Sequence, residues 1–518
     1  MNTFYVTTAI PYVNAAPHLG HALELVQADV LARHARLRGR PVRFLTGTDD
    51  NALKNVTAAR AAGVDVRDFV DTNAARFAAL REPLSLSFDD FIRTGADARH
   101  AAGVDRLWRE CAAGGDFYRR TYQGLYCPGC EQFWAAAELT GGLCPEHRVA
   151  PEPVAEENWF FRLSRYTGRI LELLESGRLR IEPAARRNEV LAFVRAGLTD
   201  FSVSRPAARA GGWGIPVPGD PDQVVYVWWD ALANYVTALG YGSGDPAYRR
   251  WWTGPGERAH VIGKGIVRFH AVYWPALLLS AGLPLPTSIL VHDHLSADGA
   301  KLSKSAGNAV DPLALTTRYG TDAVRWWLLR DPARVGDTDF TVERLIRRAD
   351  GDLANGLGNL VNRTLALAWK HRGGRVSPPT GRLAGLPRGA GDSPGDQPVL
   401  AGALGAVCDR LPGRIDRALH DFDFRAATDA LVAVVDEGNR FIETERPWEP
   451  AAAGRLDAVL GALVAACRLV ATELSPFLPD GAARLRERLL AGDRVARPEP
   501  VFPRISGPAG APGTPAGR

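Results

Sequence analysis

The sequence lacks the features of a membrane protein and of a disulfide-stabilised secreted domain. No window reaches about 18 consecutive apolar residues, and the opening stretch MNTFYVTTAIPYV has no basic region followed by a long apolar core. Six cysteines in 518 residues are too few for a disulfide framework. The formal net charge of +4 is compatible with a polyanionic partner but does not require one. We therefore expect a cytoplasmic protein without a membrane segment.

Length and composition indicate a globular protein with several domains. Hydrophobic residues make up 46% of the chain and charged residues 23%, as in ordinary globular proteins. Because a domain usually contains roughly 100 to 200 residues, a chain of 518 residues predicts about three or four of them.

The first fifty residues predict a strand-helix-strand unit. An apolar run over residues 4–10 is followed by apolar positions at helical spacing and by a second apolar run over residues 42–47. This order favours a parallel sheet, in which ligands bind at the carboxyl ends of the strands. We expect His18 and Asp49, which follow the two strands, to face one crevice.

The predicted sheet is interrupted and then resumes. Residues 118–219 contain cysteine turns and irregular segments with proline, whereas strand-like runs return at residues 224–229, 259–263 and 287–292. Helical periodicity dominates from residue 353 onward. The predicted fold class is thus α/β, with a parallel sheet split by an insertion and followed by an α-helical bundle.

Three of the six cysteines form one cluster in the sequence. Cys127-x2-Cys130 is followed, after thirteen residues, by Cys144-x2-His147, with Pro or Gly inside each turn. Two such turns can bring four ligands tetrahedrally onto one Zn²⁺, and the alternative is an unmetallated loop with reduced cysteines. The spacing therefore predicts a zinc knuckle. The remaining cysteines are interpreted as small buried side chains: Cys111, Cys408 and Cys467.

Two further motifs carry groups suited to phosphate chemistry. His18 and His21 lie at the predicted start of a helix, where backbone N–H groups and the helix dipole favour phosphate. Far downstream, the loop ADGAKLSKSAGN carries Lys301 and Lys304, whose ammonium groups can stabilise a departing pyrophosphate. Taken singly, the first motif is also compatible with helix capping and the second with a solvated turn.

The combination of these motifs resembles the class I aminoacyl-tRNA synthetases and, among them, the methionyl-tRNA synthetases of the bacterial single-knuckle type. The likeness extends from about residue 3 to about residue 480. It rests on six motifs in the order of the family: AIPYVNAAPHLGH, the cysteine knuckle, YVWWDALANYV, HVIGKGIVRFHAVYWPALL, KLSKS and NRFIETERPWE.

The resemblance implies a methionine–tRNA ligase, which activates methionine with ATP to methionyl-adenylate and transfers it to the 3′ end of tRNA(Met). The implied cofactors are ATP, Mg²⁺ bound with the substrate, and structural Zn²⁺. The implied partners are tRNA(Met), methionine and ATP. We expect a monomer, because the chain lacks the extra C-terminal domain that makes some relatives dimers.

The resemblance also implies a role for individual residues. His18 and His21 would stabilise the pentacoordinate phosphate. Lys301 and Lys304 would stabilise the leaving pyrophosphate. Asp49 would accept the ammonium group of the substrate in a charge-assisted contact. The thioether pocket would be shaped by eight residues: Ile10, Tyr12, Trp228, Ala231, Leu232, Tyr235, Ile266 and His270.

The same resemblance divides the chain into six segments. They are the first half of a Rossmann-like catalytic domain (1–117), a connective insertion with the zinc knuckle (118–220), the second half of the catalytic domain (221–300), the KLSKS loop with a stem-contact region (301–350), a helical anticodon-binding domain (351–485) and a C-terminal extension (486–518). A Pro- and Gly-rich linker is expected over residues 373–398, and disorder is expected at the end of the chain.

Several residues depart from the family pattern. Asp50-Asn51-Ala52 stands where an acidic-His-Gly or Ala-His-Gly run is usual, so that an imidazole is missing. Gly265 replaces an aspartate that would hold the ribose of the nucleotide. Asp293 replaces a glycine on the adenine side, where a negative charge needs compensation. Leu232 stands where one branch has proline, which is a minor change.

The anticodon-reading residues match only in part. Asn359 and Arg363 match positions with which the family reads the CAU anticodon, but no tryptophan follows Trp448, where the family stacks one on a base. We therefore expect weakened anticodon discrimination. Two alternatives to the ligase also remain open. One is a divergent paralogue that activates an amino acid for a biosynthetic or resistance role, and the other is a non-catalytic relative that binds tRNA or nucleotide.

Overall fold

The computed structural model describes residues 2–127, 132–145, 148–297, 299–301, 310–377, 402–490 and 492–505. Within these ranges the chain forms two compact units. The first contains residues 2–82 and 86–294, and the second contains residues 83–85, 295–301 and 310–505. No helix in these ranges is long and apolar enough to cross a membrane.

The first unit is built around one parallel sheet with smaller antiparallel sheets beside it in the chain. Its strands are β1 (Thr3–Thr8), β2 (Val42–Thr48), β3 (Asp90–Arg93), β4 (Phe117–Cys127), β5 (Gln132–Trp134), β6 (Glu152–Phe161), β7 (Arg180–Glu182), β8 (Phe201–Ser202), β9 (Ser204–Pro206), β10 (Pro216–Val217), β11 (Asp220–Val225), β12 (Gly256–Gly263) and β13 (Ser288–His292).

The parallel sheet confirms the predicted α/β fold. Its strand order is β3-β2-β1-β12-β13-β7, and all neighbouring strands run parallel. The central strands are buried, with Tyr5 and Val6 of β1 fully inaccessible to solvent. Such strands need apolar or β-branched side chains on both faces, which is why they occur as continuous apolar runs in the sequence.

The segment between β3 and β12 contains both antiparallel sheets. β4 pairs with β6 along ten residues to give the order β5-β4-β6-β8, and a second small sheet has the order β10-β11-β9. The same segment also returns one strand, β7, to the edge of the parallel sheet, where it pairs with β13. The three residues of β7 are too few to show a periodicity, so the sequence did not predict this return.

The helices of the first unit pack against the parallel sheet and its insertions. They are α1 (Leu19–Leu37), α2 (Leu53–Ala62), α3 (Val66–Ala78), α4 (Ala98–Ala113), α5 (Thr167–Glu175), α6 (Ala184–Arg195), α7 (Val227–Thr237), α8 (Pro246–Tyr248) and α9 (Trp274–Ser280). A short π-helical turn, Phe269–Tyr273, precedes α9.

Only the first two residues of the strand predicted over residues 224–229 are in a strand. β11 ends at Val225, and the following apolar residues begin α7 at Val227. Nearly every position of α7 is buried, so the helix has no polar face to reveal its period of 3.6 residues. A short apolar run of this kind cannot be distinguished from a buried strand by pattern alone.

The second unit is mainly helical, with three short strands. The strands are β14 (Leu295–Ala297), β15 (Ala300–Lys301) and β16 (Thr338–Phe340), in the order β15-β14-β16. The helices are α10 (Pro312–Tyr319), α11 (Thr321–Arg330), α12 (Val342–Arg348), α13 (Asn359–Arg372), α14 (Ala403–His420), α15 (Phe424–Glu445), α16 (Leu456–Glu473) and α17 (Pro479–Leu489).

Candidate active site

The segments that follow β1 and β2 lie side by side at the carboxyl edge of the parallel sheet. The backbone N–H of Asp49 donates to the carbonyl of Pro11 over 2.9 Å, which places Tyr12 opposite Asp49. β12 lies on the other side of β1, with Val261 opposite Thr8. In an open parallel sheet this edge is where ligands bind.

The His-x-Gly-His motif forms the N-terminus of α1. His18 is the N-cap, and its Nδ1 accepts the backbone N–H of Gly20 over 3.1 Å. The Nδ1 of His21 accepts the backbone N–H of His18 over 3.0 Å. A Cβ at position 20 would lie 2.9 Å from the His18 ring, so a residue other than glycine would displace the ring from the cap. The motif spacing therefore follows from the capping geometry.

The capping contacts also determine the tautomer of both imidazoles. Because Nδ1 of each ring accepts a backbone N–H, the neutral ring carries its proton on Nε2. The two rings stack with centroids 3.9 Å apart, and the His21 ring packs against the edge of Phe77 at 5.0 Å. Two stacked imidazoles, each with its proton on Nε2, thus lie at the positive end of a 19-residue helix, an arrangement suited to phosphate oxygens.

Asp49 is a buried carboxylate in a firmly held loop. The side-chain amide of Asn55 donates to the carbonyls of Asp49 and Asp50, each over 3.0 Å. Burial raises the pKa of Asp50, and Arg93, which donates to its carboxylate over 2.9 Å, opposes that shift. The indole N–H of Trp213 donates to the Asp50 carbonyl over 2.8 Å. These contacts hold the backbone of the loop that carries Asp49.

Aromatic rings form a wall next to Asp49. Tyr12 meets Trp228 edge to face with centroids 6.2 Å apart, and Trp228 stacks on Phe269 at 3.7 Å and an interplanar angle of 9°. Phe269 was not among the predicted pocket residues. Its position beside His270 in the motif IVRFH is the only sequence signal that could have indicated it.

A second aromatic group centres on Tyr235 and His270. His270 Nδ1 donates to the carbonyl of Ile266 over 3.0 Å, so Nε2 is the acceptor for the Tyr235 hydroxyl at 2.7 Å. Burial lowers the pKa of His270 to about 4 and raises the pKa of Tyr235 well above its usual value. Both groups are therefore neutral near pH 7, and the surroundings suit an uncharged, polarizable side chain.

The other predicted pocket residues lie in the same region of the first unit. Ala231 and Leu232 are buried on α7, the helix that also carries Trp228 and Tyr235. Ile10, Trp228 and Ile266 are partly buried and pack against the main hydrophobic cluster, to which Leu232 and Tyr235 belong. The structure thus brings these five residues to one cluster, and Tyr12 packs with Trp228 against a second, smaller one; the roles of all the predicted pocket residues stay predictions.

The negative charge of Asp293 has a specific partner. Arg186 Nη2, from α6, donates to Asp293 Oδ1 over 2.5 Å, and the Arg186 side chain is largely buried. Beside it, His292 Nε2 lies 3.1 Å from Glu24 Oε2, and this contact raises the pKa of His292 against the effect of burial. The positive charge needed to compensate Asp293 is therefore provided by Arg186. The two residues are 107 positions apart, so no local sequence pattern could identify the pair.

Half of the predicted metal and lysine residues lie outside the described part of the chain. Cys127 and Cys144 are buried and pack in one small cluster with Trp134. Cys130, His147 and Lys304 belong to the ranges that are not described, and Lys301 is described only as part of β15. Among the described residues there is no group of three or more possible metal ligands.

The predicted anticodon residues lie on α13 of the second unit. Asn359 is exposed at the start of the helix, and Arg363 Nη2 donates to Glu443 Oε1 of α15 over 2.6 Å. Trp448 follows the end of α15 and is 43% exposed, an unusual state for a large aromatic residue. The expectation of a missing aromatic ring considered only positions beyond Trp448, whereas the ring of Trp448 itself is exposed.

The sequence of the chain is similar to those of known proteins. The family model of the class I tRNA synthetases (M) matches residues 4–152 and 147–365. The methionine–tRNA ligase of Brucella melitensis is 40% identical over 97% of this chain and 98% of its own length. The corresponding ligase of Mycobacterium bovis is 39% identical over 98% of this chain and 99% of its own length.

Solved structures give the same result. The methionyl-tRNA synthetase of Mycobacterium tuberculosis in complex with methionyl-adenylate superimposes with a TM-score of 0.88 at 38% identity, covering 97% of this chain and all of that one. Its apo form gives a TM-score of 0.81 at 35% identity. These matches show that the chain belongs to the methionyl family of class I tRNA synthetases.

Proposed function

We propose that the chain is a methionine–tRNA ligase that uses ATP. In the first step a methionine carboxylate oxygen attacks the α-phosphorus of ATP, and the bond from that phosphorus to the bridging oxygen breaks, releasing pyrophosphate. In the second step the terminal adenosine hydroxyl of tRNA(Met) attacks the activated carbonyl and releases AMP. The observation that carries the proposal is the buried Asp49 carboxylate beside a neutral aromatic wall.

The two ends of methionine require different surroundings. The ammonium group is assigned to Asp49, whose charge complements it in a largely water-excluded position. The thioether is assigned to the Trp228, Tyr235 and His270 group, which is uncharged near neutral pH. Sulfur contacts with aromatic rings are favourable, and a neutral His270 avoids burying a charge against an apolar ligand.

The phosphate chemistry is assigned to the N-terminus of α1 and to the KLSKS loop. The Nε2–H groups of His18 and His21 would donate to oxygens of the α-phosphate as its charge increases in the transition state. Lys301 and Lys304 would neutralise the departing pyrophosphate. Mg²⁺ bound to the phosphates of the substrate would supply further charge neutralisation, as in other phosphoryl transfers.

The choice of amino acid tests the proposal directly. Methionine-dependent ATP–pyrophosphate exchange is expected to be at least about tenfold faster than exchange with leucine, isoleucine or cysteine, because a misfitting side chain loses about 1 to 3 kcal/mol. The measurement is the exchange rate with a panel of amino acids at equal concentration. Faster exchange with another natural amino acid would overturn the assignment of methionine.

We also assign one structural Zn²⁺ to Cys127, Cys130, Cys144 and His147. The support from the described residues is that Cys127 and Cys144 are buried and pack in one small cluster with Trp134. Because four protein ligands complete a tetrahedron, no position remains for water or substrate, so the metal has a structural role.

Metal analysis of the purified protein is expected to give one zinc per chain. Cys144→Ser should lose the metal, whereas Cys111→Ala, which changes a buried cysteine that hydrogen-bonds the Leu277 carbonyl, should retain it. A metal-free wild-type protein would contradict the ligand assignment.

We assign Trp448, which follows the helix whose Glu443 binds Arg363, as a ring that stacks on an anticodon base. Trp448→Ala is expected to reduce discrimination against anticodon-altered tRNA by about 1 to 3 kcal/mol, the usual value of one stacked base, and Trp448→Phe should retain most of it. The measurement is kcat/KM for aminoacylation of wild-type and altered transcripts.

Two other outcomes of the same assay are informative. Unchanged discrimination in Trp448→Ala would show that Trp448 does not stack on an anticodon base. Absence of charging with any tRNA, despite rapid methionine-dependent exchange, would favour the paralogue with a biosynthetic or resistance role.

A further inference from the structure

Asn51 connects the loop after β2 with helix α7. Its side-chain amide donates to Asp230 Oδ2 of α7 over 2.7 Å. Its backbone N–H donates to Asp49 Oδ1 over 3.2 Å. One residue therefore contacts both the carboxylate assigned to the substrate ammonium and the helix that carries Trp228 and Tyr235.

Asp230 is itself held rigidly. His100 Nε2, from α4, donates to its other oxygen, Oδ1. A hydrogen bond of 2.8 Å joins His100 Nδ1 to Thr237 Oγ1 at the end of α7. The side chains of His100, Asp230 and Thr237 are all buried. Each carboxylate oxygen of Asp230 accepts one hydrogen bond, and any other rotamer of Asp230 would break at least one of them.

Close helix packing fixes this chain of hydrogen bonds in place. A Cβ at Gly103 would lie 2.3 Å from the Thr237 side chain, so α4 and α7 touch at a glycine. Neither helix can slide without displacing His100 and Asp230 together. Asn51 is thus anchored to a rigid element of the fold rather than to another loop.

The backbone of the loop does not depend on the Asn51 side chain. Asn55 binds the carbonyls of Asp49 and Asp50, and Arg93 and Thr48 bind the Asp50 carboxylate. Loss of the Asn51 amide should therefore leave the loop folded. It would release residue 51 from α7 and thereby loosen the N–H that orients the Asp49 carboxylate.

We propose that Asn51 is a positioning residue for amino-acid binding. It fixes the separation between the Asp49 carboxylate and the aromatic pocket on α7, so that the ammonium group and the side chain of one substrate fit at the same time. This role rests on the proposed function, because it requires that Asp49 accepts the substrate ammonium.

The test compares methionine with its analogue that lacks the amino group, 4-(methylsulfanyl)butanoate. In Asn51→Ala, the KM for methionine in pyrophosphate exchange is expected to rise about tenfold, since a charge-assisted contact is weakened. The inhibition constant of the analogue should change less than about twofold, because the analogue has no ammonium group to contact Asp49. The KM for ATP should also stay within about twofold.

Two substitutions at the same position sharpen the result. Asn51→Asp keeps the shape but places a carboxylate against Asp230, and it should raise the methionine KM at least as much as alanine does. Asn51→His offers a ring N–H to Asp230 and should recover at least half of the loss on a logarithmic scale. As a matched control, Asn188→Ala changes an exposed asparagine of α6 and should leave all three constants unchanged.

The outcomes separate this inference from the proposed function. An unchanged methionine KM in Asn51→Ala, or a parallel rise in the inhibition constant of the analogue, would overturn the positioning role, since the second result would mean a general disturbance of the pocket. Absence of methionine-dependent exchange in the wild-type protein would instead overturn the proposed function.

Discussion

Replacing His21 by alanine is expected to lower the rate of methionine-dependent pyrophosphate exchange by about a hundredfold or more, which corresponds to roughly 2.7 kcal/mol of transition-state stabilisation. The reason is geometric. The capping contact with His18 commits Nδ1 of His21 as an acceptor and leaves the proton on Nε2. The variant loses this donor at the positive end of α1, where the charge on the phosphate increases during the reaction.

The exchange rate must be compared with the integrity of the fold. Loss of the cap itself costs about 1 kcal/mol of stability, which is too little to unfold the first unit, so the helical circular dichroism should not change. His420→Ala, at an exposed position at the end of α14, is the matched control and should exchange at the wild-type rate. Near-wild-type activity of His21→Ala would show that the imidazole does not contribute to the chemical step.

The largest effect on stability is expected for Arg325→Met. The Arg325 guanidinium is completely buried in α11 and donates to three carbonyls, those of Phe477 (2.7 Å), Leu84 (2.8 Å) and Pro476 (3.1 Å). Methionine has a similar length but no donor, so the three acceptors lose these contacts without gaining water. We expect the free energy of unfolding to fall by about 4 kcal/mol.

Urea denaturation monitored by tryptophan fluorescence measures this loss. Arg410→Met removes an exposed arginine from α14 of the same unit and should change the unfolding free energy by less than about 0.5 kcal/mol. If Arg325→Met were as stable as that control, the carbonyl contacts would contribute nothing to the folded state.

The sequence predicted those parts of the fold and site that depend on local order along the chain. The strand, the capped helix and the following strand in the first fifty residues can be recognised from apolar periodicity. The His18 and His21 pair can be placed at a helix start because glycine and a capping side chain are local requirements. Asp49 follows β2 directly, so its location at the sheet edge needs only the parallel arrangement.

What the sequence could not provide depends on contacts between distant residues. Arg186 and Asp293 are 107 positions apart, and His100 and Asp230 are 130 apart, so neither pair leaves a local pattern. The strand prediction for the residues after Val225 failed for another reason, because a helix buried on all sides has the same apolar composition as a buried strand. The exposure of Trp448 is likewise a property of the folded surface and not of its neighbours in sequence.

The short segment Pro83–Ser85 limits how the molecule can be divided into fragments. It lies more than 200 residues before α10 in the chain. Thr321 donates to its Pro83 carbonyl over 2.9 Å, and Arg325 donates to its Leu84 carbonyl. The hydroxyl of Ser85 in turn donates to the Asp480 carboxylate over 2.5 Å. A protein fragment that starts at residue 310 would contain α10–α17 but would lack the Leu84 carbonyl, which accepts a hydrogen bond from the buried Arg325 guanidinium. The helical unit therefore cannot be exchanged as one continuous segment, because its stability depends on residues 83–85 as well as on residues after 310.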